Sequence, residues 1–312
     1  MMSGMPFTPS VEQTAIAIAY RNKSLIADAV CPRVTVGKKN FKYTIFDKAD
    51  RMTIPDTRIG RKSAPNQVEF SSSEDNAACE DYGLSDVVPQ DDIDNAPAHY
   101  DPLNHATESI SDIILLAREV RVANMYSNAD NFGATYKLGS GTLKHLDDPN
   151  LDVLVYLQEM LDDMFMTANT MTMSRKVATK LRSNKHVIKA YNGSLGDSGL
   201  VPLKFITDTL EIERVNIGAA FVNTAKKGKT PTYSRAWQDN LALTYVDPLA
   251  STQNSRMTFA MTAQYGARVS SRRSVQAGLH GGTEVMVGES LCELAIAKEC
   301  GILLTDTIGY TP

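Results

Sequence analysis

Four short patterns in the sequence contain residue types that could do chemistry. The run Lys227-Gly228-Lys229-Thr230 ends like a phosphate-binding loop, but that motif needs a glycine where the chain has Asn223. Pro231 follows at once, at the point where the helix of such a loop would begin. A basic turn between two strands is therefore the better interpretation of this segment.

The other three patterns are incomplete sites. Gly139-Ser140-Gly141 lacks the third glycine of a dinucleotide-binding fingerprint and follows a predicted helix rather than a strand. His105 and Glu108 would share one helix face, but no second histidine lies nearby to complete a metal site. Asp91-Asp92-Ile93-Asp94 has neither the turn glycine nor the distal glutamate of a calcium loop, so a solvated acidic loop is expected. We therefore expect no enzyme, no catalytic residue, no cofactor and no metal.

Length and composition are those of an ordinary folded protein. The chain has 312 residues, 43% hydrophobic and 22% charged, enough for one elaborate core or two smaller ones. Its net charge of −4 argues against a protein whose main task is to grip phosphates. No stretch approaches the roughly 20 apolar residues of a membrane span, and the first residues lack the features of a signal peptide. We expect use in a cytoplasm, with free thiols at Cys31, Cys79, Cys292 and Cys300.

Charge is distributed unevenly along the chain. Residues 1–70 have 11 basic and 6 acidic side chains, residues 71–163 have 4 and 19, and residues 164–312 have 17 and 11. Basic clusters at 226–229 and 268–273 could contact nucleic acid, but we favour the acidic block of a neighbouring copy as their partner. Segregated blocks of this kind suit a protein that packs against copies of itself.

Patterning predicts a mixed α+β fold with three helices before most of the strands. Asp101 and Pro102 form a strong helix start, and apolar residues at three- and four-residue spacing extend this helix to about residue 128. A connection is predicted at 132–147, a second helix from about residue 148, a strand at 170–173 and a third helix capped by Ser174. The remainder is predicted as strands and loops, with strands at 201–207, 209–217, 219–224, 240–246, 257–265, 283–289 and 290–297.

Residues 37–74 have a different character. Two segments with strand patterning, 41–46 and 66–71, are separated by a long, polar and basic connection. A connection of this length is improbable as a structureless loop inside a compact domain, and a two-stranded ribbon is not stable alone in water. The ribbon must therefore lie on something, and its polarity indicates the surface of another chain.

We expect the basic tip of this ribbon to dock on the acidic stretch at 80–94 of a neighbouring copy, because the two segments carry opposite charge. The basic candidates are Arg51, Arg58, Arg61 and Lys62. The acidic candidates are Glu80, Asp81, Asp86, Asp91, Asp92 and Asp94.

Three long stretches carry a recognisable word pattern. They are VGKKNFKYTIFDKADRMTIPDTRIGRKSAPNQVEF, EDYGLSDVVPQDDIDNAPAHYDPLNHATESISDIILLAREVRVANM and TEVMVGESLCELAIAKECGILLTDTI. The chain resembles the tailed-bacteriophage major capsid proteins of the Hong Kong 97-type fold, and most of all the unprocessed capsid proteins of Mu-like and related long-tailed phages. The resemblance covers about residues 15–128 and 237–312, and the middle matches only in its order of elements.

The resemblance implies an architecture and a function. It implies an N-terminal arm at 1–36, an extended β-hairpin loop at 37–75, a peripheral domain at 76–145 and 266–312 with a spine helix at about 101–128, and an axial domain at 146–265. Hexamers and pentamers of such subunits close into an icosahedral shell around double-stranded DNA. The implied place is the virion, assembled in the host bacterial cytoplasm without a membrane.

The resemblance also implies partners. Because only a short arm precedes the extended loop, a separate scaffolding protein is expected, together with a portal, while a decoration protein is left open. Double-stranded DNA would touch the inner face without sequence specificity. Some relatives cross-link through lysine and asparagine, but no lysine here matches that role.

Two other functions stay open at the level of sequence. An encapsulin-like bacterial nanocompartment would share the fold and enclose enzymes instead of DNA, and neighbouring genes would separate the two. A cytosolic α+β enzyme would instead be a monomer or small oligomer with a polar pocket, which size-exclusion chromatography would reveal.

Overall fold

The protein is described from a computed structural model, which covers residues 8–19, 24–46, 54–59, 61, 63–67, 72–193, 196, 198–226, 228–251 and 256–310. Two five-stranded sheets and eight α-helices make up most of this part of the chain. The helices are α1 (Val11–Ala19), α2 (Ala27–Val30), α3 (Gln90–Asp94), α4 (Pro102–Ser127), α5 (Val153–Asp162), α6 (Arg175–Arg182), α7 (Lys185–Asn192) and α8 (Leu203–Thr209).

The strands alternate with these helices only in the middle of the chain. Short 3₁₀ turns at Ala129–Asn131 and Lys298–Cys300 lead into two of them. The strands are β1 (Thr8–Pro9), β2 (Arg33–Val36), β3 (Asn40–Phe46), β4 (Ser72–Ala78), β5 (Glu80–Pro89), β6 (Ala134–Lys137), β7 (Thr170–Ser174), β8 (Arg214–Gly218), β9 (Phe221–Asn223), β10 (Tyr233–Arg235), β11 (Leu241–Thr244), β12 (Ala260–Val275), β13 (Gly282–Ala295) and β14 (Gly301–Thr305).

The first sheet is built on the long hairpin of β12 and β13. Its strand order is β1-β12-β13-β5, with β2 running parallel to the first part of β12. The register of the hairpin shifts between Tyr265 and Val269, where Gly266 has a φ of +71°. Helices α1 and α4 pack on this sheet, and Ala17, Ile110, Val285 and Val287 form the small core between them.

The second sheet has the order β6-β14-β11-β7-β8 and contains both parallel and antiparallel pairs. Its central strands β7, β11 and β14 are almost wholly buried, although β7 alternates threonine with methionine. Helices α5 to α8 supply the rest of a large core, with Leu157, Leu181 and Ile206 fully buried.

The long helix α4 begins where the sequence predicts. The Asp101 carboxylate accepts hydrogen bonds from the backbone N–H groups of Leu103 at 2.9 Å and Asn104 at 3.3 Å, and Pro102 occupies the first helical position. The third predicted helix is confirmed as α6, and the Ser174 hydroxyl accepts from the N–H of Val177 at 3.4 Å. Local capping signals thus fix both starts.

Several predictions from patterning are wrong. The segment at 201–207 is the helix α8 for most of its length, and α7 was not predicted, although Asn184 caps it through the N–H of His186. The second helix begins at Val153 with Asp152 as its cap, and the predicted connection at 132–147 contains β6. The segments at 283–289 and 290–297 belong to one strand, β13. Tertiary packing decides these short apolar segments, because their patterning fits either structure.

Only the first two residues of the predicted return strand at 66–71 lie within the described residues. Asn66 and Gln67 are not in a strand, residues 68–71 lie outside the described residues, and the partner of β3 is β4 at Ser72–Ala78. This segment is rich in serine and acidic residues, which are uncommon in strands. Polar contacts with β3 accompany its pairing, so an apolar alternation does not mark this strand.

Sheet membership does not follow the predicted division into arm, loop and two domains at every strand. β6 and β14 lie in the predicted peripheral part but pair within the second sheet. Residues 260–265 lie in the predicted axial part but belong to β12 of the first sheet. The division itself stays a prediction.

Candidate assembly surfaces

The ribbon of β3 and β4 stands apart from both sheets. Its two strands pair with each other and, within the described residues, with no other strand. Lys42 Nζ lies 2.8 Å from Glu74 Oε2, and the Tyr43 hydroxyl donates to Asp75 Oδ2 at 3.0 Å. Burial and this hydrogen bond raise the pKa of Tyr43 to about 12. Cross-strand polar pairs therefore hold the ribbon together where a sheet would use apolar ones.

The base of the ribbon is anchored to its own chain. Phe41 packs on a small cluster around Cys79 and Ala263. Lys39 Nζ lies 2.5 Å from Asp81 Oδ2, and the Ser290 hydroxyl also donates to Asp81. The hydrogen bond from Lys39 lowers the pKa of Asp81 most, and the hydrogen bond from Ser290 lowers it further, so this pKa lies below its ordinary value. Asp81, a predicted contact between subunits, thus already has a partner within the chain.

The tip of the ribbon is exposed. Arg58 and Arg61 form no ion pair or side-chain hydrogen bond with any described residue, while Arg51 and Lys62 lie outside the described residues. The segment has local order, because Asp56 accepts from the N–H of Arg58 at 2.9 Å and its carbonyl accepts from Asn66 Nδ2 at 2.8 Å. The isoleucines Ile54 and Ile59 are 88% and 57% exposed. An exposed tip of two isoleucines and two arginines has the composition of an interface anchor.

The acidic stretch forms one edge of the first sheet. β5 pairs only with β13 among the described strands, and most of its residues are exposed. Glu80 accepts a hydrogen bond from the Tyr82 hydroxyl at 3.0 Å, whereas Asp86 makes no side-chain contact of this kind in the described part of the chain. A long exposed edge strand invites pairing with another chain, and acidic side chains limit that pairing to basic partners.

The three aspartates after β5 lie in the short helix α3 and not in the predicted loop. All three are exposed. Asp94 accepts from Gln90 Nε2 at 2.8 Å, and Asp91 Oδ1 lies 3.9 Å from His280 Nε2. Asp92 has no ion pair or side-chain hydrogen bond with a described residue. Of the six acidic candidates, Asp86 and Asp92 are therefore the two whose carboxylates form no ion pair or hydrogen bond with a described side chain.

The N-terminal arm is held by two buried charges that the sequence argument missed. Arg118 and Glu119 of α4 are 1% and 0% exposed. The Glu119 carboxylate accepts from the N–H groups of Ile26 and Ala27 at the start of α2, the shortest bond being 2.8 Å. At the other end of α2, Arg118 donates to the Cys31 carbonyl at 3.1 Å. The spacing from Ile114 and Leu115 could have placed both charges on the buried face.

A second buried cluster fixes α1. The Glu289 carboxylate lies 2.9 Å from both Arg33 Nη1 and Arg268 Nη2, and Arg268 Nη1 donates to the Ala17 carbonyl at 2.8 Å. Burial raises the pKa of Glu289, but the two guanidinium groups outweigh burial and lower it overall. Arg268 is therefore committed within its own chain, and its proposed contact with a neighbour is wrong.

The basic cluster at 226–229 forms an exposed turn. Lys226 and Lys229 lie between β9 and β10, as predicted for a basic turn between two strands, and Lys227 lies outside the described residues.

In the described part of the chain, no three His, Cys, Asp or Glu side chains are grouped as metal ligands would be. None of the helices there has the length and apolar character needed to cross a membrane.

Comparisons with known proteins give these surfaces a context. No protein-family model matches the chain. A solved phage-related protein from Bordetella bronchiseptica superposes with a TM-score of 0.75 at 18% identity, covering 97% of this chain and 98% of that chain. The capsid protein of cyanophage P-SCSP1u superposes with a TM-score of 0.57 at 13% identity, covering 97% and 92% of the two chains. The fold is therefore the mixed α+β, Hong Kong 97-type fold of viral shell subunits.

The sequence itself narrows this class. The chain is 44% identical over 309 residues to the major capsid protein of Pseudomonas phage JBD67, which covers 99% of this chain and 100% of that protein. The chain belongs to the family of phage major capsid proteins. It is a structural component of the virion, and the expected resemblance is confirmed.

Proposed function

We propose that the chain self-assembles as hexamers and pentamers into an icosahedral shell that encloses double-stranded phage DNA. The observation that carries the proposal is the ribbon of β3 and β4, whose described tip residues are exposed and pair with no strand in the described part of the chain. A two-stranded ribbon needs a surface to lie on. In a shell, the surface of the next copy supplies it.

The ribbon tip docks on the acidic edge of a neighbouring copy. Arg58 and Arg61 form no ion pair with any described residue, and neither do Asp86 and Asp92 of the same chain. Each set therefore gains a partner of opposite charge between copies, which gives the contact its orientation. The contact is exposed to solvent at its rim, so salt weakens it.

The further partners are a scaffolding protein, a portal, and DNA on the inner face. The net charge of −4 supports only non-specific DNA contact, through local basic turns such as that of Lys226 and Lys229. Assembly takes place in the host bacterial cytoplasm, and the role is structural rather than catalytic. In this account β6 and β14 count with the axial domain and all of β12 with the peripheral domain, which the strand pairing supports.

A charge-swap experiment tests the docking. The variant Arg58→Glu/Arg61→Glu should need at least tenfold more protein to assemble at low salt, because like charges then meet at the contact. Adding Asp86→Lys/Asp92→Lys should restore assembly, as measured by light scattering and sedimentation over a range of salt concentrations. Lys185→Glu/Lys189→Glu on α7 is the matched control, since it makes the same charge change at exposed positions elsewhere. Unchanged assembly of the first variant at every salt concentration would contradict the docking.

A further inference from the structure

A cleft of about 520 Å³ opens between β5, α3 and the first turns of α4. Val88 and Tyr100 form part of its apolar wall, and Asp86 and Asp92 stand at its rim. The Tyr100 ring is 45% exposed, with its centroid 5.6 Å from that of His105. The cleft thus combines apolar side chains and an accessible aromatic ring with two carboxylates that form no ion pair with any described residue.

This combination selects the chemistry of the occupant. An apolar side chain gains free energy by leaving water for the wall of the cleft. Carboxylates at the rim attract a guanidinium and repel a phosphate, so a nucleic acid does not fit. Aromatic residues and arginine are also the groups that most often dominate the affinity of protein interfaces.

The ribbon tip presents the matching groups. Ile59 is a large apolar side chain that is 57% exposed, and Arg58 and Arg61 lie on either side of it in the sequence. Ile54 is even more exposed, at 88%, but its neighbours Thr53 and Pro55 carry no charge. Of these two isoleucines, only Ile59 therefore lies between two cations in the sequence.

We infer that the cleft receives Ile59 from the ribbon tip of a second copy, while Arg58 and Arg61 reach the carboxylates of Asp86 and Asp92. This inference rests on the proposed docking and gives it a receptor site. It predicts that affinity comes mainly from the buried isoleucine against Tyr100, and that the arginines set orientation and salt dependence.

Alanine variants test the anchor. Ile59→Ala and Tyr100→Ala should each raise the protein concentration needed for assembly about tenfold, and the double variant should raise it no further than either alone. Ile54→Ala is the matched control and should leave this concentration unchanged. Additive effects of the pair, or an equal effect of Ile54→Ala, would overturn the inference.

Cross-linking tests the location directly. Ser109 lines the cleft and is exposed, so Ser109→Cys changes little besides the oxygen. Assembled Ile59→Cys/Ser109→Cys should form disulfide-linked multimers under mild oxidation, read on non-reducing gels. The native thiols contribute little background, because Cys31, Cys79 and Cys300 are buried and burial raises the pKa of Cys292 to about 11.

A second pair separates this inference from the docking itself. Leu279 is 91% exposed at the turn between β12 and β13, outside the cleft. Cross-links in Ile59→Cys/Leu279→Cys but none in Ile59→Cys/Ser109→Cys would overturn the cleft and leave the docking of the ribbon standing. A further outcome would be that a maleimide cannot label Ser109→Cys in shells although Ile59→Cys/Ser109→Cys forms no cross-link. Another segment would then fill the cleft, and the inference would also be overturned.

Discussion

The Trp237 indole Nε1–H donates to the Glu119 carboxylate at 2.6 Å, in a site where both side chains are buried. The same carboxylate accepts the N–H groups at the start of α2. One side chain of the long helix thus ties the N-terminal arm to the segment between β10 and β11. Buried donors that share one acceptor all lose their partner if that acceptor is removed.

Replacing Glu119 should therefore cost more than one hydrogen bond. Glu119→Ala leaves the indole N–H and two backbone N–H groups without an acceptor, and we expect a loss of about 3 kcal/mol or more in the free energy of unfolding. Trp237→Phe removes one donor and part of the buried ring, so its loss should be smaller. Urea unfolding of unassembled protein measures both.

Hydrogen exchange distinguishes a local role from a global one. In Glu119→Ala, the amides of Ile26 and Ala27 should exchange faster by a larger factor than the amides of β11, because the arm opens before the rest. A uniform acceleration in both places would contradict the role of Glu119 as a clamp for the arm.

The Glu289 cluster should make stability depend on pH. Because the folded pKa of Glu289 is lowered, its stabilising contribution is present above the unfolded value of about 4.3 and is lost as the pH falls through the folded value. Glu289→Gln should cost about 3 kcal/mol at pH 7, since it leaves two arginines facing a neutral group.

The measurement is urea unfolding of both proteins from pH 7 downward. The difference between native protein and Glu289→Gln should narrow as the pH falls below about 4.3. A difference that stays constant down to acid denaturation would show that Glu289 is not held ionised by Arg33 and Arg268.

The close approach of β8 to Trp237 gives a third prediction. A Cβ atom at Gly218 would lie 2.2 Å from two atoms of the Trp237 indole, so the ring or the strand must move. Gly218→Ala should therefore lower the free energy of unfolding by about 1–3 kcal/mol. Gly37→Ala is the control, because its Cβ would meet nothing within 4 Å, and it should leave stability nearly unchanged. Equal effects of the two substitutions would contradict the packing described.

The features that sequence predicts well here are local ones. Asp101 and Ser174 cap α4 and α6 through hydrogen bonds that span only two or three residues, so their signals are complete in the sequence. The ribbon was predicted to need another surface, from its length and polarity alone. The pairing of Ser72–Ala78 with β3 was not predicted, because the polar side chains of this segment show no apolar periodicity.

The features that sequence could not supply depend on distant residues. Glu119 and Trp237 are 118 positions apart, and no local sequence pattern around either residue predicts a contact with the other. The cleft exists only because β5, α3 and α4 meet in three dimensions. The exposed isoleucines at the ribbon tip were visible as apolar residues in a polar segment, but their role needs a receptor surface, which only the fold provides.

Cryo-electron microscopy of particles from bacteria producing the phage that carries this chain tests the central claim most directly. The account predicts closed icosahedral shells of this subunit, in which each ribbon tip lies over the β5 edge of the next copy with density for Ile59 in the cleft. Particles in which this chain forms no closed shell would contradict the proposed function. Closed shells with the ribbon tip away from β5 would contradict the docking on which the assembly account depends.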